Sequence, residues 1–194
     1  MSDITEAIAA AAARLIVDEG MDWGAAKQRA ARDAGAPRAA LPGNDEVEEA
    51  VREHIAIFHA DTQPAELRAL RELAAQWMAR LAEFRPHLTG AVWRGTATRL
   101  SNVHLQLYCD DSKAAEIALL NRGLSFDIAE TSAGRGRTVD MLILDAPCAA
   151  LDERVTVCLT ILDFDDLRGA LKPDARGQTE RGDLAALQTL LETE

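Results

Sequence analysis

Apolar and polar residues follow a helical period as far as Pro86 and a twofold period beyond Gly90, so the chain reads as helices followed by a sheet. Near the start, Ile4, Ile8, Leu15 and Ile16 fall roughly on one stripe, Asp3 with Glu6 supplies a capping-box start, and Gly20 a left-handed end. A second helix is expected over residues 22–34, before the breakers Gly35, Pro37, Pro42 and Gly43. Asn44 is expected to cap a third, with Val47, Val51, Ile55 and Phe58 on its apolar face. The most regular pattern follows Pro64. There Leu67, Leu70, Ala74, Trp77, Leu81 and Phe84 step by three and four, which predicts one buried stripe ending near Pro86.

Beyond Gly90 a short strand is expected over residues 91–94, then a Gly95-Thr96 turn. Alternation is strict from Ser101 to Tyr108: Val103, Leu105 and Leu107 point one way, Asn102, His104, Gln106 and Tyr108 the other. A helix is expected over 110–123 with Ile117 and Leu120 inward, and strands over 125–130, 138–144 and 155–162. Residues 138–144 are apolar on both faces apart from Asp140, as in an interior strand. The architecture is therefore α+β: an N-terminal helical bundle packed with a mixed sheet of about five strands. Residues 1–86 form the helical region and 87–168 the α/β region. Residues 169–194 are expected to be an acidic, mobile tail that closes in a weak helix.

Charge narrows the ligand class. The chain carries 21 Lys and Arg against 32 Asp and Glu, a net charge of −11, and both halves share the deficit. Binding to DNA or RNA depends on neutralising phosphates, so a nucleic-acid polymer is disfavoured while a small basic pocket for a nucleotide is not. Cys109, Cys148 and Cys158 form no CxxC pair and read as reduced, buried thiols. The start is alanine-rich but carries Asp3 and Glu6 and lacks a basic leader, so no membrane segment is expected and a cytoplasmic location is.

Three features of the second half belong together: the Gly95-Thr96 turn, the run from Arg99 through Ser101, Asn102 and His104 to Leu105, and Arg137-Thr138-Val139-Asp140-Met141. Together they resemble the nucleotidyltransferase superfamily, in which a Gly-Ser turn precedes two carboxylates on one strand and a third comes from a neighbouring strand. The resemblance spans residues 90–162 and implies a nucleotide ligand and a divalent metal, magnesium, manganese or zinc. Carried over by position, Gly95, Thr96, Arg99 and Ser101 bind phosphate, while Asn102, His104 and Asp140 stand at the metal positions. Two of the three carboxylates are thus replaced, by a neutral oxygen ligand and a nitrogen ligand, a set poorly suited to magnesium. No residue is assigned catalysis. The whole chain is also similar to a bacterial protein family, a likeness that brings no chemistry with it.

Plainer readings stand beside these. Gly95-Thr96 is also a common strand turn, Ser101, Asn102 and His104 also suit the wet face of an edge strand, and Asp140 is also accounted for by an ion pair with Arg99, Arg135 or Arg137. His54 and His59, five apart, are expected on different faces of a helix, with His59 making a favourable dipole contact at its end. His87 is expected in a loop, and Arg68, Arg71 and Arg80 on a solvated face. Asp163, Asp165 and Asp166 are expected to form a solvated acidic turn. Three functions are open: a degenerate transferase retaining a nucleotide or phosphate ligand, a transferase working with His104 and Asp140 as altered metal ligands, and an interaction protein that binds a partner through its helical half.

Overall fold

The computed structural model describes residues 3–37, 40–134, 136–168, 170–173, 177 and 179–193. The chain divides into two compact units, Met1–Leu67 with Thr96–Ser101, and Arg68–Gly95 with Asn102–Glu194. The first division falls within a helix, between Leu67 and Arg68.

The first unit holds α1 (Asp3–Glu19), α2 (Trp23–Asp33), α3 (Asn44–Phe58) and the first turn of α4 (Gln63–Arg80). Its core is small in side chain: Ile8, Ala12, Ala13, Ala26, Ala30, Val47 and Val51 are all but inaccessible, and the alanines let α1 lie close to α2 and α3. Asp22 caps α2 by accepting from the amides of Gly24 and Ala25 at 2.9 and 3.2 Å. The cap of α3 is Gly43, not Asn44. The Gly43 amide donates to Glu46 at 2.7 Å, while the Asn44 side chain accepts from Lys27 Nζ. The outer ends of the expected stripes are exposed, Ile4 on α1 and Phe58 on α3, because each lies at a helix terminus. Residues 96–101 are held by Gln63, whose amide donates to the Ala97 carbonyl, and by Glu66, which accepts from the Arg99 amide.

In the second unit, the stripe of α4 is buried as its spacing requires, through Leu70, Ala74, Trp77 and Leu81 to Phe84 in the short 3-10 turn beyond. Then come β1 (His87–Thr89), α5 (Gly90–Arg94), β2 (Val103–Cys109), α6 (Ala114–Asn121), β3 (Asp127–Ser132), β4 (Thr138–Cys148), β5 (Glu153–Asp163), β6 (Arg181–Gly182) and α7 (Leu184–Thr193). They form an α+β unit with a mixed sheet of order β3-β4-β5-β2-β1-β6, in which, among the described residues, only β2 and β5 run parallel. Residues 91–94 are helical rather than extended, and the strand lies just before them. Gly90, at φ +73°, turns the chain there and Gly95, at φ +82°, ends the helix.

Pairing puts directly opposite residues on one face of the sheet. Leu105 stands against Leu159 and Leu159 against Leu142, and all three are fully buried. The other face carries Gln106, Thr160 and Met141 in register, all half-buried. On α6 the inward residues are Ala115 and Leu119, not Ile117 and Leu120, which are more than half exposed. The helix begins at Ala114, four residues after its expected start, and packs through the small side chain of Ala115 with Leu119 four residues on, a face that leaves Ile117 and Leu120 outward. Part of the expected tail is built into the unit: β6 pairs with β1, and Leu187 of α7 is fully buried.

Candidate functional site

The residues expected to hold phosphate are separately engaged. Gly95 caps α5, its amide reaching the Ala91 carbonyl. Thr96 is buried, and its hydroxyl has no partner among the described residues. Arg99 is exposed, and its amide is taken by Glu66. Ser101 closes a local turn, its hydroxyl accepting from the Thr98 amide at 3.0 Å.

The expected metal positions do not converge. Asn102 is exposed ahead of β2. Asp140 lies two residues from Leu142 and so shares the face of Leu105, whereas His104 adjoins Leu105 and points to the opposite face. A metal cannot be held jointly by groups on two faces of one sheet. The opposed faces keep Asn102, His104 and Asp140 from sharing any one divalent ion, and the donor types suit magnesium poorly besides. Asp140 instead pairs with Lys113 at 3.4 Å. Arg137 is not that partner, and Arg135 lies outside the described residues. Arg137 serves Asp163 and Asp166, so the acidic turn is held by ion pairs and not merely solvated.

The half-buried face of the sheet forms the floor of an open cavity of about 840 Å³. Gln106, Thr160, Leu162 and Thr131 come from the strands, the β3–β4 hairpin adds Ser132 and Gly134, and Arg137, Arg168 and Arg181 stand among Asp165 and Asp166. These arginines are themselves paired with acids: Arg137 with Asp163 and Asp166, Arg168 with Asp165, and Arg181 with Glu180, so the cavity gathers guanidiniums without a net positive lining. Arg181 is the organising group. Its Nη1 donates to Gln106 Oε1 at 2.8 Å and to the Tyr108 hydroxyl at 3.2 Å, and that hydroxyl donates to Gln106 in turn. Its Nε is buried and pairs with nothing among the described residues. The guanidinium is thereby fixed against the floor, at low entropic cost to any ligand it meets.

Behind this network His87 is buried at the start of β1, not looped out; its ring meets Tyr108 edge-on and its Nδ1 donates to the Arg85 carbonyl. Sequence pattern pointed to Gln106 and Tyr108 as wet-face residues but gave no reason to single out Arg181. Arg71, expected on a solvated face, is buried and donates to the carbonyls of Val92 and Trp93, both at 3.0 Å. Cys109, Cys148 and Cys158 are free and buried, and burial pushes the Cys109 thiol up to about 11. No helix among the described residues is long and apolar enough to cross a membrane. Comparison with protein-family models, curated proteins and solved structures finds no match, so the functional reading rests on this geometry.

Proposed function

We propose that the chain is a nucleotidyltransferase-like protein that has lost ordinary two-metal transfer and binds a nucleotide or another phosphate-bearing ligand in the cavity over the half-buried face of its sheet. The observation that carries this reading is the fixed Arg181 guanidinium beside Arg137 and Arg168 in a cavity of ligand size. Guanidinium groups match phosphate oxygens in geometry and keep their charge at any working pH. Hydroxyls of Thr131, Ser132 and Thr160 add donors at the same opening. The opposed faces of His104 and Asp140 speak against transfer with those two as metal ligands.

The test is calorimetry and thermal shift of the full chain with ATP and with inorganic phosphate, on wild type, Arg181→Gln, His104→Ala and Asp140→Ala. ATP at a hundredfold excess over its Kd stabilises by about 2.7 kcal/mol. Binding that needs no added metal, falls in Arg181→Gln and survives in Asp140→Ala is expected. Absence of binding by wild type, or nucleotide transfer abolished in Asp140→Ala, refutes the reading.

A second reading has its own observation. Ile57 and Phe58, at the end of α3, are 71% and 67% exposed, an apolar pair that suits the helical half to a protein partner. Its check is pull-down from a cell extract with wild type and Ile57→Ser/Phe58→Ser, in which a partner lost with the double variant supports docking there.

A further inference from the structure

His54 and His59 do not diverge as their spacing in a continuous helix requires. Phe58 is the last helical residue of α3; His59 leaves at φ −130° and ψ 14°, its amide still bonded to the Ile55 carbonyl at 2.8 Å. That break swings the imidazole back toward His54, and the two ring centroids lie 5.8 Å apart. Both rings then present Nε2 to one carboxylate, that of Asp18 in the last turn of α1. Asp18 Oδ1 stands 3.1 Å from His54 Nε2 and 2.9 Å from His59 Nε2. The three ligand atoms all lie within 4.8 Å of one another.

We propose that Asp18, His54 and His59 bind one divalent transition-metal ion of the zinc class, with solvent as the fourth ligand. Zinc takes nitrogen and oxygen ligands at about 2.0–2.1 Å in a tetrahedron, whose edges are then roughly 3.3 Å. The oxygen-to-nitrogen distances of 3.1 and 2.9 Å come within a few tenths of an ångström of that edge, and the two Nε2 atoms, within 4.8 Å of each other, close toward the same edge when the ion enters. Two neutral imidazoles and a carboxylate favour zinc and its neighbours over magnesium or calcium, which prefer oxygen. The site also lies at the C-terminal ends of α1 and α3, where carbonyl dipoles favour a cation. The side chains of His54, His59 and Asp18 are 15%, 30% and 39% exposed, enough to leave one side open to the ion and to water.

Without metal, the same contacts are two histidine-to-aspartate hydrogen bonds, in which each Nε2 carries a proton. Coordination requires both Nε2 atoms to give up that proton, which leaves for solvent or moves to Nδ1. The bound ion would clasp α1 to α3 within the first unit. This site is independent of the sheet cavity, and the two proposals fail separately.

The experiment is zinc titration of the full, chelator-treated chain against a competing indicator, with cobalt(II) as a spectroscopic probe and magnesium as control. One zinc per chain, an intense visible cobalt band of tetrahedral type and no magnesium uptake are expected. Asp18→Asn and His59→Gln should each weaken zinc binding roughly a hundredfold. Failure of wild type to compete for zinc, or affinity unchanged in both variants, overturns the proposal. Imidazole proton resonances of the wild type supply a readout that needs no variant: zinc must shift those of His54 and His59, and shifts confined to His87 or His104 also overturn it.

Discussion

Gly182 offers a stringent test of the second unit. It pairs with Leu88 across β6 and β1, and the Trp93 ring fills the space where its side chain would stand. A Cβ added there would stand 2.1, 2.4 and 2.7 Å from three carbons of that ring. Carbon atoms pack at about 3.5–4.0 Å, so the ring must retreat by roughly 1.4 Å or the strand must leave the sheet. Retreat is opposed by the indole, whose Nε1 donates to the Thr179 carbonyl at 2.7 Å. Overpacking of this kind costs about 1–3 kcal/mol and the strained hydrogen bond about one more, so Gly182→Ala should lose roughly 2–4 kcal/mol. Urea unfolding followed by far-ultraviolet circular dichroism measures the loss. Because one contact causes it, Gly182→Ala in a Trp93→Leu background should cost at least about 1 kcal/mol less than alone. Neighbouring Arg181 should shift with the strand and weaken phosphate binding. A Gly182→Ala protein within about 0.5 kcal/mol of wild type, or strict additivity with Trp93→Leu, would refute the packing argument.

Further outcomes follow from other contacts. Arg71→Met keeps most of the buried volume but strands the carbonyls of Val92 and Trp93, and should cost roughly 2–4 kcal/mol in the same urea assay. Partial burial raises the Asp18 carboxyl, but hydrogen bonds from His59 and His54 and their charges more than offset this and hold it below its ordinary 3.8. A depressed carboxyl contributes stability above its unfolded value and loses it as pH falls through the folded one. In chelator, wild type should therefore lose more stability than Asp18→Asn on acidification through and below about pH 3.8, and equal acid limbs would contradict this. With Cys109 buried and its thiol raised to about 11, and with Cys148 and Cys158 buried too, a disulfide reagent at pH 8 should label the folded chain slowly and the urea-unfolded chain at once.

How much of this was legible in the sequence depends on the range of the interaction. The stripe from Leu67 to Phe84 and the alternation of Val103, Leu105 and Leu107 name their own elements, because helical and strand periods decide which side chains share a face within one segment. The helices-then-sheet order, the left-handed closure at Gly20 and the burial of the cysteines are local in the same sense. Register is not local. Whether Asp140 shares a face with His104 depends on the pairing of β4 with β5 and of β5 with β2, and a shift of one residue would reverse the answer. The same holds for Arg181, which reaches Gln106 only because β6 returns to β1 across the whole domain. His59 is the sharpest case: helical arithmetic carries it away from His54, but one residue outside the helix the backbone turns, and Asp18, 36 positions before His54, gathers both rings. Sequence determined the buried stripe of the longest helix and the alternation of the central strand; the tertiary structure decided the inward face of α6, the burial of Arg71 and which polar side chains meet, because these depend on rotations and offsets between segments that no periodicity encodes.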